Sequence, residues 1–595
     1  MFQTFTASTS PDDGPPRLMA LRSVMKDAGL DGFLVPRADA HQGEYVAPRD
    51  ARLAWLTGFT GSAGFAAILA DHAGVFIDGR YRVQVKSQVA DVFTPVPWPE
   101  TKLADWLIEH LKAGAVVGYD DWLHTQSEVD RLQDRLEAQG ITLKPGPNLV
   151  DHIWEDQPAP PSGKIISYPL EFAGESHAQK RERIASDIAK DGQDAAVLTL
   201  PDSIAWLLNI RGTDIERNPV AHAFAILHKD ATVDLYVYGD KAADLGDHLG
   251  DEIRLHPVAE FEEALAALKG TIRVDPATAP ARIFTKITAE IAPADDPCIL
   301  PKACKNATEI DGTRTAHLRD AAAMVEFLAW LDAQPPGSLT EIAVVKELEA
   351  RRRATNALRD ISFETISGAG PNAAIVHYRV TEDTDRAVKE GELLLVDSGA
   401  QYIDGTTDIT RTVPVGTPEP IHRSCFTRVL QGMIAISRAR FPKGLAGRDL
   451  DALARFPLWT AGLDYDHGTG HGVGAYLSVH EGPQRISRIS EVAFEPGMIL
   501  SNEPGYYREG AFGIRIENLI VVREADKIEG ADDREMLDFE TLTYVPIDRR
   551  LIVAEMLSPD ERAWINAYHQ TVFDKIADSV GAEARDWLER ATAPV

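Results

Sequence analysis

The sequence predicts an α/β protein in three parts, the first two being copies of one fold. Short apolar runs typical of strands alternate with amphipathic helices and short turns in the first half of the chain. The pattern Trp-Leu-x4-Gly occurs at residues 55–61 and again at residues 206–212, each time between two strand-like runs. The third part combines long helices with β-like runs that carry acidic residues. Neither copy has a dense set of ligand-type residues, so we expect the chemistry in the third part.

Composition excludes several classes of function. A chain of 595 residues is long enough for about three or four domains. Its formal charge of −30, from 61 basic and 91 acidic residues, argues against nucleic-acid and anionic-membrane partners. Three cysteines without paired spacing favour a reducing compartment. There is neither a secretory signal pattern nor an apolar run long enough to span a bilayer, so we expect a soluble cytoplasmic protein.

Two proline-rich segments, residues 155–164 (EDQPAPPSGK) and 293–302 (PADDPCILPK), are interpreted as junctions. They divide the chain into a flexible N-terminal arm (residues 1–16), a first α/β domain (17–160), its repeat (161–300) and a third domain with a C-terminal extension (301–595).

The helices of the third part have clear start and stop signals. Thr308–Leu331 has one apolar face and ends before two prolines, and Ser338 with Glu341 predicts a capping box that starts the next helix. A further helix is expected near Ile421–Arg440, and another begins at Ser558. The last carries an apolar stripe that either packs on the chain's own core, which we favour, or contacts a second subunit: Trp564, Tyr568, Val572 and Ile576.

Five side chains able to bind metal occur between Leu393 and Asn518, in or beside strand-like runs: Asp397, Asp408, His471, Glu503 and Glu517. Any one of them alone would more often cap a turn or face water. Asp397 and Asp408, however, flank the turn Gln401–Gly405, so a hairpin can bring both carboxylates to one face. Glu517 alternates with apolar neighbours that point to the opposite side. The combination favours a single buried cluster.

Charge counting converts this cluster into a metal site. Four carboxylates within about 4–6 Å would repel one another and take up protons, whereas two divalent cations cancel their charge. A hydroxide held between the metals is then a nucleophile near neutral pH. Oxygen-rich ligation with one imidazole suits Mn²⁺, and Co²⁺, Fe²⁺ or Zn²⁺ fit less well. The residues alone therefore predict a di-metal hydrolase.

Three further histidines, His377, His467 and His480, lie near the cluster in sequence. Each is either a structural residue or a catalytic or substrate-contacting one, and the residues alone leave both open. The run Gly470–Ala475 fits a loose dinucleotide-binding pattern, but no strand precedes it and no helix follows, so we reject that interpretation.

Together the motifs LLLVDSGAQYIDGTTDITRTV, HGTGHGVG, SNEPGYY and GIRIEN resemble those of the pita-bread metallopeptidases, and more narrowly those of the aminopeptidase P family. DAHQGEYVAP, GFTGSAGFA, DGRY, DSIAWLLNIRG and LTYVPI extend the resemblance over nearly the whole chain beyond the N-terminal arm. It implies two tandem creatinase-like domains followed by a pita-bread catalytic domain.

The resemblance also implies roles for the metal-binding residues. Asp397 and Asp408 would hold one metal, with Asp408 bridging to the second. His471 and Glu503 would complete the second metal, and Glu517 would bridge both. No metal-ligand position departs from the family's pattern, and the family's usual metal is manganese.

Other residues are implied to meet the substrate. His377 and His480 would contact it and stabilise the intermediate or move protons, His467 would lie along its path, and His471 would touch it. Arg80 in the first domain matches a substrate-contacting arginine, and Arg515 matches an arginine near the metals, which we count with the catalytic residues.

The reaction implied is release of the N-terminal residue from peptides with proline second, by attack of a metal-bridging hydroxide on the Xaa-Pro bond. The long cytosolic members of the family are typically homodimers. Two alternatives stay open, a prolidase-type Xaa-Pro dipeptidase and a non-catalytic pita-bread module that binds peptides. Intact ligands argue against the second, and the tandem N-terminal copies argue against the first.

Overall fold

A computed structural model describes all residues, 1–595. The chain forms two compact units, Ser8–Lys302 on one side and Met1–Ala7 with Ala303–Val595 on the other, the latter called here the catalytic unit. None of the helices combines the length and the hydropathy that a membrane span requires.

The unit Ser8–Lys302 contains two six-stranded sheets with helices packed beside them. The first copy comprises α1 (Gly14–Asp27), β1 (Gly32–Pro36), α2 (Arg52–Thr57), β2 (Phe65–Leu69), β3 (Ala73–Ile77), α3 (Val85–Gln88), β4 (Thr94–Pro97), α4 (Leu103–His110), β5 (Val116–Asp120), α5 (Gln126–Glu137), β6 (Thr142–Gly146) and α6 (Leu149–Ile153). The second comprises β7 (Ile166–Ser167), α7 (Leu170–Ala173), α8 (His177–Lys190), β8 (Ala195–Leu198), α9 (Pro201–Leu208), β9 (Ile210–Arg211), β10 (Ala223–His228), β11 (Val233–Val237), α10 (Gly246–Leu249), β12 (Ile253–Pro257), α11 (Phe261–Ala267), β13 (Thr271–Val274), α12 (Ala281–Lys286), β14 (Glu290–Pro293) and α13 (Ile299–Ala303).

The two sheets have the same topology, which confirms the predicted repeat. Their strand orders are β4-β3-β2-β1-β5-β6 and β12-β11-β10-β8-β13-β14. In each sheet the first strand pairs antiparallel with the second and parallel with the fifth, as β1 does with β2 and β5 and β8 with β10 and β13. The repeated Trp-Leu pattern lies in α2 and in α9, and Leu56 and Leu207 are both fully buried.

The catalytic unit places long helices around several small sheets. Its helices are α14 (Ala307–Asp332), α15 (Glu341–Ala354), α16 (Pro420–Ser437), α17 (Gly447–Trp459), α18 (Pro559–Ile576) and α19 (Ala582–Ala591). Its strands are β15 (Asp360–Ile361), β16 (Ile366–Ala369), β17 (Leu393–Ser398), β18 (Ala400–Tyr402), β19 (Gly405–Thr406), β20 (Ile409–Pro414), β21 (Arg440–Pro442), β22 (Gly470–Gly472), β23 (Glu481–Ile486), β24 (Ile499–Asn502), β25 (Gly505–Arg508), β26 (Phe512–Arg515), β27 (Asn518–Glu524) and β28 (Met536–Thr541).

Two sheets of this unit carry the predicted cluster. One has the order β16-β17-β20, and the other is six-stranded, β21-β28-β27-β24-β22-β23. The main hydrophobic core packs α14, α16 and α18 against β17, β20 and β26. The apolar side chains of β17, β20 and β26 therefore face the helices, and the polar side chains of these strands lie on the opposite side.

One predicted helix start is wrong and another is confirmed. Helix α15 is capped by Thr340, whose side chain accepts from the amide of Ala343, whereas the Ser338 hydroxyl donates to the carbonyl of Pro335. Helix α18 follows Ser558 as predicted, and Ser558 forms a capping box with Glu561. Tyr568, Val572 and Ile576 of its stripe are at most 5% exposed and Trp564 packs against the same core, so the stripe belongs to the chain's own core.

The arm predicted over residues 1–16 is divided between the two units. Met1–Ala7 pack within the catalytic unit, whereas Ser8 onward belong to the other unit and α1 begins at Gly14. Gln3 and Phe5 are buried, at 2% and 9% exposure. The first seven residues are thus packed against protein, which the sequence pattern did not indicate.

Candidate metal centre

The first two acidic residues lie on neighbouring strands of a hairpin. Asp397 near the end of β17 is opposite Thr410 of β20, and Asp408 comes immediately before β20. Between them β18 and β19 close a tight turn, with Tyr402 paired to Gly405. The hairpin expected from the turn Gln401–Gly405 is present, and it brings oxygen atoms of Asp397, Asp408 and Glu517 within 4.8 Å of one another.

The other ligand-type residues come from adjacent strands of the six-stranded sheet. Asn502 of β24 pairs with Asn518 of β27 in antiparallel register, so Glu503 and Glu517, one position further out, lie next to each other. His471 is on β22, which also neighbours β24. Its Nε2 lies 3.5 Å from Asp408 Oδ2 and 3.4 Å from Glu503 Oε1. The structure therefore brings all five predicted ligands together.

Burial and mutual repulsion dominate the electrostatics of this cluster. Burial raises the pKa of Asp397, Glu503 and Glu517 above the ordinary range of carboxyl groups, and neighbouring carboxylates add to the rise. Burial alone would lower the pKa of His471, but Asp408 and Glu503 outweigh it and raise that pKa to about 9. The carboxylates disfavour one another's charge unless a cation joins them.

Three buried oxygen atoms of the cluster have no hydrogen-bond partner: Asp397 Oδ1, Asp408 Oδ1 and Glu517 Oε1. Buried carboxylate oxygens without a donor are costly, and here they come from three residues that face one another. The Nδ1 of His471 lies 2.9 Å from the carbonyl of Gly472, so as a donor there it leaves Nε2 free to bind toward Asp408 and Glu503. The donor set fits two divalent cations, and with this fold it defines a di-metal hydrolase.

Arg515, which the sequence placed near the metals, holds one ligand directly. Its guanidinium pairs with Asp397, its Nε lies 3.2 Å from Thr410 Oγ1, and its Nη1 lies 2.6 Å from Tyr507 Oη. Thr410 in turn donates to Glu517 Oε2 at 2.8 Å. Arg515 thereby orients candidate ligands from both sheets. Residues that hydrogen-bond to metal ligands commonly have this role.

His467 is joined to the same network through Tyr507. The Tyr507 hydroxyl accepts from Arg515 and lies 2.9 Å from His467 Nε2, while His467 Nδ1 lies 2.7 Å from the carbonyl of Gly468. Nδ1 donates to that carbonyl, and Nε2 shares a hydrogen bond with the tyrosine hydroxyl.

His480 lies beside the cluster. Its ring centroid is 4.4 Å from that of His471, with the rings nearly perpendicular, and both imidazoles offer nitrogen atoms within 4.8 Å of an oxygen of Asp408. His377 follows the 3-10 turn Gly370–Ala374, and the carbonyl of Val376 next to it lies 3.4 Å from Arg515 Nη2. Both histidines are half-buried.

Arg80 lies in the other unit, where Asp78 holds its guanidinium with contacts of 3.0 Å to Nε and 2.7 Å to Nη2, and Tyr81 lies 5.3 Å below it. Its role toward substrate stays a prediction.

Sequence reasoning missed two groups that position the site. Tyr507 stands in the SNEPGYY motif itself, four residues after Glu503, but nothing in its spacing indicates a partner at Arg515 or His467. Behind the hairpin, Arg352 makes two bonds of 2.8 and 2.9 Å to Asp320, whose carboxylate also accepts from the hydroxyls of Tyr402 and Thr407. Asp320 and Arg352 lie buried among the apolar residues of α14 and α15, where a charged side chain is not expected from the helix pattern.

Comparison with known proteins agrees with this architecture. Residues 311–524 match metallopeptidase family M24, and residues 535–595 match the C-terminal region of that peptidase family. Residues 17–153 and 156–309 each match the creatinase/prolidase N-terminal domain. The predicted fold class, two tandem creatinase-like domains and a pita-bread catalytic domain, is confirmed.

Full-length similarity narrows the family. The chain is 39% identical to probable Xaa-Pro aminopeptidase P of Ajellomyces dermatitidis over 621 residues, covering 98% of this chain and 100% of that protein. The crystal structure of X-prolyl aminopeptidase from Caenorhabditis elegans, described as a cytosolic enzyme with a di-nuclear active site, matches with a TM-score of 0.92 at 32% identity, covering 98% of this chain and 99% of that one. Xaa-Pro dipeptidase from Bacillus anthracis matches with a TM-score of 0.52 at 25% identity, covering 63% of this chain and 99% of that one. The chain belongs to the aminopeptidase P family of M24 metallopeptidases.

Proposed function

We propose that this protein is a metalloaminopeptidase that releases the N-terminal residue from peptides with proline at the second position. The observation that carries the proposal is the cluster of Asp397, Asp408, His471, Glu503 and Glu517 with its three unpaired buried oxygens. It lies in a chain that matches an aminopeptidase P over essentially its whole length. A purely structural role would not need four acids at one buried point.

The chain's own residues would divide the work as follows. Asp397 and Asp408 would hold one cation, and His471 and Glu503 the other, with Asp408 and Glu517 shared by both. Mn²⁺ is the best match to an oxygen-rich set with one imidazole. Two bound cations supply a water of lowered pKa and polarise the scissile carbonyl.

Substrate groups would be handled by the histidines around the cluster. His480, beside His471, would stabilise the charge that develops on the carbonyl or carry a proton to the leaving nitrogen, and His377 would bind the peptide. His467, hydrogen-bonded to Tyr507, would line the path of the substrate, and Arg80 would contact it from the first domain.

The dipeptidase alternative is less favoured. The structure of an X-prolyl aminopeptidase aligns with 98% of this chain at a TM-score of 0.92, whereas that of the Xaa-Pro dipeptidase aligns with 63% of this chain at a TM-score of 0.52. This chain carries two creatinase-like copies, and we infer that they help to select longer peptides.

A side-by-side assay tests the substrate assignment. Cleavage of Arg-Pro-Pro should exceed that of Gly-Pro by more than about tenfold in kcat/KM, be lost after chelation, and return when Mn²⁺ is added. Asp408→Ala should abolish turnover, and Asp383→Ala, which removes an exposed carboxylate of the same unit, should not. Faster cleavage of Gly-Pro would support the dipeptidase alternative, and activity that survives chelation would contradict the metal assignment.

We further propose a cytoplasmic homodimer formed through the catalytic unit. Leu453, Phe456 and Trp459 follow one another at spacing i+3 on the surface of α17, and Phe456 is 63% exposed. Arg488 lies 5.7 Å over the Trp459 ring, and the next residue, Ile489, is 76% exposed. Apolar residues concentrated in this way are typical of subunit contacts.

Light scattering after size exclusion tests the dimer. The wild type should elute as a dimer at micromolar concentration and Phe456→Glu as a monomer. Ile166→Glu, an exposed apolar position of the other unit, serves as the control. A monomeric wild type would contradict the proposal.

A further inference from the structure

The first residues of the chain form an extended segment on the catalytic unit. Gln3 and Phe5 are buried, whereas Thr4 and Thr6 between and after them are exposed. This alternation with a period of two is that of a strand with one face on protein. Residues 2–6 are called here the N-terminal strap.

The strap is bonded at both of its ends to residues of the catalytic unit. Gln3 Nε2 donates to the carbonyl of Thr365 at 3.2 Å, and Gln3 Oε1 accepts from the amide of Thr365 at 2.8 Å. The carbonyl of Phe5 accepts from the amide of Glu382 at 2.9 Å. Arg379 Nη2 donates to the carbonyl of Thr4 at 3.1 Å. The strap therefore ties the segment before β16 to the segment around residues 379–382.

Phe5 also fills a hydrophobic cluster beneath that segment. The cluster contains Tyr378 and Val380, which flank Arg379, the residue that donates to the strap. It also contains Ala373 of the 3-10 turn. Tyr378 immediately follows His377, so packing of Phe5 fixes the backbone at that histidine from one side.

On the opposite side the same segment is held by Glu341 at the start of α15. Its carboxylate accepts from the Tyr378 hydroxyl at 2.9 Å, from Asn372 Nδ2 at 3.0 Å and from the Ala369 amide at 2.7 Å. The chain has no helix or strand between Ala374 and Leu393. An irregular segment of this length keeps one conformation only where other elements hold it.

We propose that Gln3 and Phe5 are positioning residues for the reaction, because the strap fixes the segment 376–382 and through it His377, whose neighbour Val376 accepts from Arg515 of the metal site. The proposal rests on the proposed function for its catalytic consequence. The structural part, that the strap orders this segment, stands independently. The strap's hydrogen bonds and packing reach none of the five metal-ligand candidates directly; besides the segment 376–382 they reach Thr365 before β16 and the cluster that includes Leu395 of β17.

Kinetics of strap variants test this inference. Phe5→Ala should lower kcat/KM for Arg-Pro-Pro by between about tenfold and about a hundredfold, because a small misplacement of a substrate-contacting group is costly. Metal content should stay that of the wild type. Phe5→Leu should restore most of the activity since it refills the cluster. Thr6→Ala, at an exposed position of the strap, should behave as the wild type.

A double-mutant cycle separates positioning from general stabilisation. In the background of His377→Ala, Phe5→Ala should change kcat/KM by less than about twofold, because the residue through which it acts is gone. An equal effect in both backgrounds, or full activity of Phe5→Ala and of a chain lacking residues 1–7, would overturn the proposal.

Hydrogen exchange distinguishes failure of this proposal from failure of the proposed function. Amides 376–382 should exchange faster in Gln3→Ala and Phe5→Ala than in the wild type, whatever substrate the enzyme cleaves. Unchanged protection would refute the strap's role, even if the wild type hydrolyses Xaa-Pro peptides. Loss of protection in the two variants, combined with a wild type that cleaves no such peptide, would support the strap's role and refute only the proposed function.

Discussion

Replacing Glu517 by Gln should stabilise the metal-free protein and destabilise the metal-loaded one. Glu517 is 1% exposed, and its carboxylate lies within 4.8 Å of ligand atoms of Asp397 and Asp408. At an effective dielectric constant of about 20, each such pair of carboxylates repels by about 3 kcal/mol. The positive charges of Arg515 and His471 offset part of this repulsion. Removal of the Glu517 charge should therefore raise the free energy of unfolding of the metal-free protein by about 3 kcal/mol. The amide still accepts the hydrogen bond of Thr410.

With metal present the sign should reverse. A cation at a hundred times its dissociation constant stabilises the folded state by about 2.7 kcal/mol, and a variant that lacks a bridging oxygen loses this for both sites. Thermal unfolding at pH 8 with chelator, and again with excess Mn²⁺, measures the two effects. We expect the chelated variant to unfold about 5 °C above the chelated wild type, and below the wild type once Mn²⁺ is added.

The matched control for this experiment is Glu524→Gln, which removes a charge at the exposed end of the same strand, β27. It should shift neither melting temperature by more than about 1 °C. If Glu517→Gln lowered the melting temperature with chelator, the carboxylates would not be repelling one another as inferred. If Mn²⁺ stabilised the variant as much as the wild type, Glu517 would not be a ligand.

Three further predictions concern groups that support the site. Arg352→Met leaves Asp320 buried without its partner and should cost about 3–5 kcal/mol in urea unfolding. Burial raises the pKa of Glu341 to about 7, so its native state retains a proton that the unfolded chain releases near 4.5. The contribution of this group to the stability of the wild type is therefore full below pH 4.5 and falls as the pH rises through 7, whereas a glutamine does not titrate. Between pH 5 and 9 the free energy of unfolding of Glu341→Gln should rise relative to that of the wild type by up to about 3 kcal/mol, as measured by calorimetry. Arg515→Lys cannot hold Asp397 and Tyr507 together and should weaken Mn²⁺ binding by about tenfold to a hundredfold in isothermal titration.

Local spacing made much of this protein predictable. The hairpin of Asp397 and Asp408 follows from a turn between two apolar runs, and the pairing of Glu503 with Glu517 follows once two strands meet in antiparallel register. Charge balance then requires cations, whatever the fold. Which oxygen bridges which cation was available only from the resemblance.

What escaped prediction depends on contacts between distant parts of the chain. The bond between Tyr507 and His467, and the packing of Phe5 against Tyr378, join residues with no shared local pattern. Ser338 and Thr340 are both suitable helix caps two residues apart, and the sequence pattern alone does not distinguish them.

The C-terminal extension is linked to the metal site through Arg411, which hydrogen-bonds both to the extension and to the strand next to Glu517. This buried arginine donates from Nη1 to the carbonyl of Glu517 at 2.6 Å and from Nη2 to Asn518 Oδ1 at 2.8 Å. It also donates to the carbonyl of Val545 at 2.7 Å and to the Tyr568 hydroxyl of α18 at 3.1 Å. One side chain of β20 thus fixes the strand that carries Glu517 to the tail of the chain. The strap secures the segment of His377 in the same way, so both ends of the sequence hold the segments that the reaction needs in register.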